Sequence, residues 1–196
     1  MGRFDGRVAI VTGGGGGLGR SHALGLAARG AKVVVNDLGS PDPVVEEIRA
    51  AGGEALADGG SVADPDAMAA MAARTLERWG RIDILVNNAG ILRDRSFAKM
   101  TLEEWRAVID VHLTGAFLAT KAVWETMRAQ NYGRVVLTTS SSGLYGNFGQ
   151  TNYGAAKLGL VGLMQTLGIE GAKNDIRVNC LAPTAATRMT HGLLPD

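Results

Sequence analysis

A run of glycines near the amino terminus, residues 13–17, constrains the fold more than any other feature of the chain. It follows a short apolar run, residues 8–11, that ends at Thr12, and it leads through Leu18 and Gly19 into a helix-like segment. Glycine-rich linkers are flexible, but they do not normally lie between an apolar strand and an amphipathic helix. A strand, a glycine turn and a helix in this order form a phosphate-binding unit, because glycines let the backbone approach a pyrophosphate and the helix N-terminus offers free N–H groups.

Apolar runs alternate with helical segments six times along the chain. This alternation is typical of an α/β fold, here a Rossmann-like doubly wound parallel sheet in strand order 3-2-1-4-5-6. The predicted strands are residues 8–11, 32–36, a short run that reaches Leu56, 82–86, 135–139 and 176–181. The predicted helices begin after the glycines, at Asp42 and Pro43, at Asp64 and Pro65, at a capping box formed by Thr101 and Glu104, and ahead of Tyr153. The helix that begins at Thr101 is expected to reach Gln130, and residues 144–150 are expected to form a loop that lines a substrate pocket.

The composition fits one globular domain over residues 1–196, since 46% of the residues are hydrophobic and 20% are charged. Twenty basic against nineteen acidic residues leave a net charge of +1, so charge implies neither nucleic acid nor an anionic membrane as a partner. No apolar run approaches the roughly 18 residues of a membrane span, and no targeting signal is recognised. The single cysteine, Cys180, cannot form an internal disulfide. These features predict a cytoplasmic protein, and no metal site is predicted.

Asp37 follows the second predicted strand, eighteen residues after Gly19. A dinucleotide-binding fold places its ribose-binding acid close to this position. A carboxylate there accepts hydrogen bonds from the ribose diol and repels a 2′-phosphate, so NAD is favoured over NADP. No Arg or Lys lies among residues 13–17 to bind a 2′-phosphate, although Arg20 stands just beyond them. The alternative is an acid that only caps the next turn.

A hydroxyl, a phenol and an ammonium group follow the fifth predicted strand. Ser140 comes directly after it, and Tyr153 and Lys157 lie four residues apart on a helical segment, a spacing that puts phenol and ammonium on one helix face. A nearby ammonium lowers the pKa of a tyrosine, as proton exchange near neutral pH requires. One charge is borderline for this purpose, and an oxidised nicotinamide ring would supply a second. Taken alone, a tyrosine and a lysine at this spacing can equally be a surface pair.

Three patterns can be compared with known families: Thr12-Gly13-x-x-x-Gly17-x-Gly19, Asn87-Asn88-Ala89-Gly90, and Ser140 thirteen residues before Tyr153-x-x-x-Lys157. Together they resemble the short-chain dehydrogenase/reductase family, and the resemblance runs from Phe4 to Thr190. The phrases NNAGILRDRSF and YGNFGQTNYGAAKLGL are similar to the (3R)-hydroxyacyl-CoA dehydrogenase branch of that family. The resemblance implies an NAD-dependent oxidoreductase that interconverts a secondary alcohol and a ketone, with a (3R)-3-hydroxyacyl-CoA as its small-molecule substrate.

The resemblance also implies a role for each matching residue. In the oxidising direction Tyr153 would take the hydroxyl proton, Ser140 would hold the oxygen, and Lys157 would steady the phenolate and bind the nicotinamide ribose. The implied cofactor-binding residues are Thr12, Gly13, Gly17, Leu18, Gly19, Asp37, Ser61, Val62, Asn88, Ala89, Gly90, Tyr153, Lys157, Pro183 and Thr187. One rival is an NADPH-dependent reductase of a 3-oxoacyl carrier protein or another ketone, against which Asp37 argues. A more remote rival is a non-catalytic nucleotide-binding scaffold.

Several positions depart from the family's pattern. His112 stands where the family has an asparagine that holds a water of the proton relay; an imidazole can also bind a water, so His112 is a candidate catalytic residue, with a purely structural histidine as the alternative. Asp58 does not match the acid expected to contact adenine, so either Asp58 is displaced or the backbone makes the contact. The family has a Pro-Gly pair where this chain has Pro183 and Thr184. Thr187 stands near the position of the family's threonine that contacts the nicotinamide. The asparagines of the second pattern are expected to brace a loop rather than to touch substrate.

Two further expectations concern assembly and length. The helix through Tyr153 contains Gly154, Gly159, Gly162 and Gly168, which cost helix stability unless another helix packs closely. In this family that partner comes from a second subunit, so a homodimer or homotetramer through helices at 101–130 and 151–172 is expected. The family also adds a substrate lid and a seventh strand, for which residues 182–196 hold no apolar run. The chain is therefore expected to be a truncated or partly ordered form of a longer protein, with an open substrate pocket.

Overall fold

The computed structural model describes residues 3–184. In this range six parallel strands form one sheet in the order β3-β2-β1-β4-β5-β6, as predicted, with helices on both faces. The strands are β1 Val8–Thr12, β2 Lys32–Asn36, β3 Ala55–Asp58, β4 Ile84–Asn87, β5 Gly133–Thr138 and β6 Ile176–Leu181. The α-helices are α1 Gly17–Ala27, α2 Asp42–Ala50, α3 Pro65–Trp79, α4 Leu102–Ile109, α5 Gly115–Gln130, α6 Ser141–Tyr145 and α7 Thr151–Gly171. The 3-10 turns Phe97–Lys99 and Ala172–Asn174 complete the regular structure of these residues.

The strands are buried on both faces because two separate cores cover the sheet. All five residues of β1 are buried. Its residue Ile10 belongs to a core with α3 and α5, whereas its neighbours Ala9 and Val11 belong to a core with α1 and α2 on the opposite face. A strand that is apolar on both faces shows no alternation in sequence, which is why the short unalternating run was recognisable as a central parallel strand.

The predicted 101–130 helix is interrupted. Thr101 and Glu104 form the expected capping box at the start of α4, since the Thr101 hydroxyl accepts from the Glu104 N–H and the Glu104 carboxylate accepts from the Thr101 N–H. A π-helical turn, Asp110–Thr114, then separates α4 from α5. A π-helical turn inserts an extra residue into the hydrogen-bonding pattern and so rotates the side chains that follow. It places His112 in the interior.

Other helix and strand boundaries also differ from the prediction. The third strand continues past Leu56 to Asp58, because Asp58 is held against β2 by a hydrogen bond from the Asn36 amide (2.7 Å). The fourth begins at Ile84 rather than at residue 82. Part of the loop predicted over residues 144–150 belongs to the short helix α6, which Ser140 caps.

The amino edge of the sheet is held by a buried carboxylate. Asp83 accepts hydrogen bonds from the Val8 N–H (2.9 Å), from Arg7 (2.8 Å) and from both Arg81 donors (2.7 Å). Burial alone would raise the pKa of Asp83, but these hydrogen bonds outweigh it and hold the pKa below its usual value. The opposite, carboxyl edge is free of such bracing ion pairs at β1 and β5, and it carries the predicted site. Among the helices of residues 3–184, none is long and apolar enough to span a membrane.

Candidate active site

The carboxyl ends of β1 and β4 are locked together by a threonine and an asparagine. The Thr12 hydroxyl accepts hydrogen bonds from the backbone N–H groups of Asn88 (3.1 Å) and Ala89 (3.2 Å). In return, the Asn88 amide donates to the carbonyl oxygens of Thr12 and Gly13, both at 3.1 Å. Asn87 lies deeper and donates to the Thr120 hydroxyl (3.1 Å). Both asparagines thus brace the structure, as predicted.

The glycine loop leads into an uncapped helix N-terminus. Gly13 and Gly17 both have positive φ, +62° and +51°, in a region that side chains rarely adopt. A Cβ on Gly19 would overlap the Gly13 carbonyl oxygen, so helix and loop can approach this closely only through glycine. The N-cap residue of α1 is Gly16, no side chain caps the helix, and its first turn holds no acidic residue. The free N–H groups and the positive end of the helix dipole therefore fit a dinucleotide diphosphate.

The Asp37 carboxylate joins the glycine loop to the turn after β2. One oxygen accepts from the Gly15 N–H (2.9 Å) and the other accepts from the Gly39 N–H (2.8 Å). Asp37 therefore caps the turn after β2, which was the alternative considered from the sequence. It is also half-buried beside the glycine loop, where this fold class binds a ribose.

The Asp58 carboxylate is engaged within the protein. It is buried, accepts from the Asn36 amide and the Gly60 N–H (3.0 Å), and forms an ion pair with Arg74. Both possibilities for the adenine contact stay predictions, and the loop that follows Asp58 carries the next two predicted cofactor residues. In that loop Ser61 is half-buried and Val62 is buried against Gly115.

Ser140, Tyr153 and Lys157 lie together at the carboxyl end of β5. Ser140 is the N-cap of α6, and its hydroxyl accepts from the Ser142 N–H (3.2 Å). Tyr153 is half-buried in the first turn of α7. Lys157, one turn later, is only 3% exposed, and its Nζ lies 5.4 Å from the centre of the Tyr153 ring. The spacing in the sequence therefore becomes one cluster of hydroxyl, phenol and ammonium.

The acid–base balance of this cluster corrects one expectation. Burial raises the pKa of Tyr153; a hydrogen bond with Ser140 acts in the opposite direction, and the charge of Asp94 raises the pKa further. Lys157 is not among the groups that shift this pKa, and its ammonium donates to the Thr138 carbonyl oxygen (2.5 Å). Burial lowers the pKa of Lys157 itself to about 8. The protein's own groups thus raise the pKa of Tyr153, and a further positive charge would favour its phenolate.

Asn152 is a site residue that sequence reasoning missed. It is fully buried, and its amide donates to the carbonyl oxygens of Arg93 (3.0 Å) and Glu104 (3.2 Å). Its side-chain oxygen accepts from the N–H of Tyr153 (2.8 Å). Asn152 therefore fixes the start of α7 against two neighbouring segments. A polar residue directly before the tyrosine of the Tyr-x-x-x-Lys pattern was the signal that could have identified it.

The rim of the site is formed by two segments that hydrogen bond to each other. The Arg95 N–H donates to the Gly149 carbonyl (2.8 Å), and the Gln150 amide donates to the Asp94 carboxylate (2.8 Å). Tyr145 and Phe148, on the second segment, are 86% and 90% exposed. These large side chains precede Tyr153 by eight and five residues, and their role in lining a substrate pocket stays a prediction.

The remaining predicted cofactor residues lie after β6. Pro183 is half-buried two residues beyond the end of that strand, and Thr184 is exposed. Thr187 lies outside the residues that the structure describes.

Comparison with known proteins gives consistent matches over nearly the whole chain. Residues 7–196 match the short chain dehydrogenase family. The peroxisomal multifunctional enzyme type 2 of Drosophila melanogaster is 56% identical over 205 residues, which cover 99% of this chain and 34% of that protein. A 3-oxoacyl-[acyl-carrier-protein] reductase of Synechocystis is 49% identical over 191 residues, covering 95% of this chain and 77% of that protein. The chain thus spans about a third of the length of the multifunctional relative.

A solved structure shows the same fold. The crystal structure of a short chain dehydrogenase from Mycobacterium avium superimposes with a TM-score of 0.92 and 45% sequence identity. The match covers all of this chain and 73% of that protein.

Proposed function

This chain belongs to the short-chain dehydrogenase family, and we propose that it is an NAD-dependent oxidoreductase acting on a (3R)-3-hydroxyacyl-CoA. Membership of the family establishes an oxidoreductase that uses a nicotinamide dinucleotide. The choice of NAD and of an acyl-CoA substrate is the finer proposal. The observation that carries it is the cluster of Ser140, Tyr153 and buried Lys157 beside an uncapped glycine loop and the Asp37 carboxylate.

The residues of the cluster divide the chemistry among them. The bound cofactor supplies a hydride acceptor and a positive charge. Tyr153, in the phenolate form that this charge favours, accepts the hydroxyl proton of the substrate while the carbon–oxygen double bond forms. The Ser140 hydroxyl donates to the substrate oxygen. The products are the 3-oxoacyl thioester, reduced cofactor and one proton that passes from Tyr153 to solvent.

Asp37 supports NAD as the cofactor, and replacing it tests this choice. Asp37→Ala is expected to weaken NAD binding by about 1.5 to 3 kcal/mol, because a charge-assisted hydrogen bond to the ribose is lost. The same change removes repulsion of a 2′-phosphate, so NADP binding should improve. Titration of both cofactors by fluorescence measures the two affinities. Asp37→Asn serves as the matched variant, since it removes the charge but keeps an acceptor for the Gly15 or Gly39 N–H. A native protein that already prefers NADP would rule out this assignment.

The acyl-CoA proposal is supported by similarity to the multifunctional enzyme and by the exposed aromatic side chains at the rim. The Synechocystis relative is named as a reductase of 3-oxoacyl carrier protein, which makes a ketone reductase the second candidate. NADPH usually drives that direction, and Asp37 disfavours it. Incubation with NAD or NADP and a panel of hydroxyacyl-CoA, carrier-protein, steroid and sugar alcohols, followed at the absorbance of reduced cofactor, distinguishes these functions. A protein that binds cofactor but oxidises or reduces nothing would be a scaffold.

A groove between α5 and α7 supports assembly with a second copy of the chain. It has a volume of about 830 Å³ and is lined by Phe117 and Ile169, which are 49% and 80% exposed. Its charged side chains are Lys121, Glu125 and Arg128 of α5, Glu170 of α7 and Lys173 of the 3-10 turn that follows α7. Mixed charge around an apolar centre allows a self-complementary, two-fold contact. Packing of the α7 glycines against a second subunit stays a prediction. Gly154 and Gly159 face Ser142 and Leu113 of the same chain, whereas Gly162 and Gly168 have no described atom within 4 Å of a Cβ built on them.

The groove gives a direct test of the proposed assembly. Ile169→Glu places a charge at the most exposed apolar position of the groove, so it is expected to shift the protein toward a single chain in sedimentation velocity. Phe97→Glu is the matched control, since Phe97 is 77% exposed but lies outside the groove and outside both helical segments of the expected interface. An Ile169→Glu protein that sediments as the same oligomer as the wild type would refute this interface.

A further inference from the structure

His112 makes three contacts in the candidate active site that the proposed roles of Ser140, Tyr153 and Lys157 do not explain. It lies in the π-helical turn between α4 and α5 and is only 3% exposed. Single π-helical turns occur frequently at functional sites because they re-aim one side chain. Here the turn directs an imidazole toward the segment that follows β4.

The first contact is with the backbone of Ile91. The His112 Nε2 lies 3.0 Å from the Ile91 nitrogen and 2.7 Å from the Ile91 carbonyl oxygen. In one tautomer Nε2 accepts from the N–H, and in the other it donates to the carbonyl, so the ring holds Ile91 in either form. Nδ1 has no hydrogen-bond partner among residues 3–184.

The second and third contacts are with Gly90 and Tyr153. A Cβ on Gly90 would overlap the His112 ring at Cε1, so this ring position requires glycine at residue 90. The ring also meets the Tyr153 ring edge to face, with centroids 5.1 Å apart and planes at 84°. The imidazole therefore fills the space between the catalytic phenol and the segment that Asn88 locks to the glycine loop.

The ring is neutral in this position. Burial lowers the pKa of His112 to about 3; the charge of Lys157 acts in the same direction, and the hydrogen bond to Ile91 opposes them. A neutral imidazole cannot serve as an imidazolium acid near neutral pH, and the contacts that it makes with Ile91, Gly90 and Tyr153 point to a role in positioning.

We propose that His112 is a positioning residue that sets the Tyr153 ring against the Gly90 and Ile91 backbone, and that Gly90 and His112 form one functional pair. The inference rests on the proposed function, because it concerns the proton transfer assigned to Tyr153. Small displacements of a catalytic group are costly, since a misplacement of about 1 Å can lower a rate about 100-fold. The His112 ring contacts both the Tyr153 ring and the backbone of Gly90 and Ile91. Replacing that ring is therefore expected to move Tyr153 relative to this backbone.

Two substitutions distinguish the packing of His112 on Tyr153 from its hydrogen bonds to Ile91. His112→Phe keeps a flat ring beside Tyr153 but loses the bonds to Ile91, whereas His112→Asn keeps a polar group but loses the ring. Each is expected to lower kcat about 10- to 100-fold with little change in KM, and to leave unchanged the pKa of the acidic limb in the pH profile of kcat.

Gly90→Ala is expected to lower kcat similarly, and Gly90→Ala combined with His112→Asn is expected to recover part of that loss. Gly25→Ala, on α1 with ample space for a methyl group, is the control that keeps wild-type turnover.

Nitrogen-15 NMR of the imidazoles gives a readout that does not need turnover, because the chain has only three histidines. The His112 signals are expected to stay those of a neutral ring between about pH 5 and 8. They are also expected to shift in Gly90→Ala and in Tyr153→Phe. If no alcohol proves to be a substrate, the proposed function fails while these signals still decide the ring contacts.

The proposal is overturned by either of two results. One is wild-type kcat in both His112→Phe and His112→Asn with only a lowered unfolding temperature, which would make His112 a core residue. The other is a His112 signal that titrates in this pH range or ignores Tyr153→Phe, which would remove the neutral, Tyr153-coupled ring on which the inference depends.

Discussion

Replacing Tyr153 with phenylalanine is expected to remove nearly all turnover while cofactor binding persists. The change deletes one ionisable oxygen and preserves the ring, so the edge-to-face contact with His112 and the packing of α7 are retained. General acid–base catalysis contributes about 100- to 10,000-fold, and the loss of kcat should fall in that range. The protein itself raises the pKa of Tyr153. The phenol is therefore expected to act as a base only when the bound cofactor adds a positive charge.

Single-turnover measurement of reduced cofactor, alongside NAD titration, checks both halves of the prediction. Tyr132→Phe is the matched control: the Tyr132 ring lies at the other edge of the sheet between the guanidinium groups of Arg7 and Arg134, at 3.7 and 4.2 Å. Its loss of a hydroxyl should leave turnover unchanged. A Tyr153→Phe protein with more than about a tenth of wild-type kcat is incompatible with the assigned role.

The fold could be predicted because its strongest signals are local. A continuous apolar run before the glycines indicates a central parallel strand, and six such alternations leave few topologies. The errors lie where long-range contacts decide a boundary. Asp58 extends β3 because Asn36 binds it from the neighbouring strand, and a π-helical turn divides the 101–130 helix, which no residue of that stretch signals by itself.

The catalytic cluster could likewise be predicted from spacing, since Ser140, Tyr153 and Lys157 follow a recognised pattern. Its electrostatics could not, because the pKa of Tyr153 depends on burial and on Ser140 and Asp94, which only the fold brings to it. The sequence places Tyr153 and Lys157 on one helix face, but the Thr138 carbonyl, on β5, draws the ammonium toward the sheet. The contact between Gly90 and His112 could not be predicted from the sequence either, because the two residues are 22 positions apart and meet only in the folded chain.

Replacing Lys157 with methionine is expected to lower both turnover and NAD affinity. Methionine keeps the apolar stem, which packs against Gly143, but removes the ammonium that lies 5.4 Å from the Tyr153 ring. In the proposed site the same ammonium binds the nicotinamide ribose, so its loss should misplace the cofactor and lower kcat about 100-fold. Loss of a charged donor to the nicotinamide ribose should weaken NAD by about 1.5 to 3 kcal/mol.

The stability of the variant separates these effects from misfolding. Lys157 is almost fully buried, and methionine removes a desolvated charge but leaves the Thr138 carbonyl without this donor. Lys157→Met should therefore remain folded, with a denaturant midpoint within about 3 kcal/mol of the wild type in free energy, while it loses activity. Lys32→Met is the control, because Lys32 forms only a partly exposed ion pair with Glu54 (3.0 Å) at the amino edge of the sheet. Unchanged NAD affinity in Lys157→Met would contradict the ribose role, since the only charged group of the catalytic cluster would then contribute nothing to holding the cofactor.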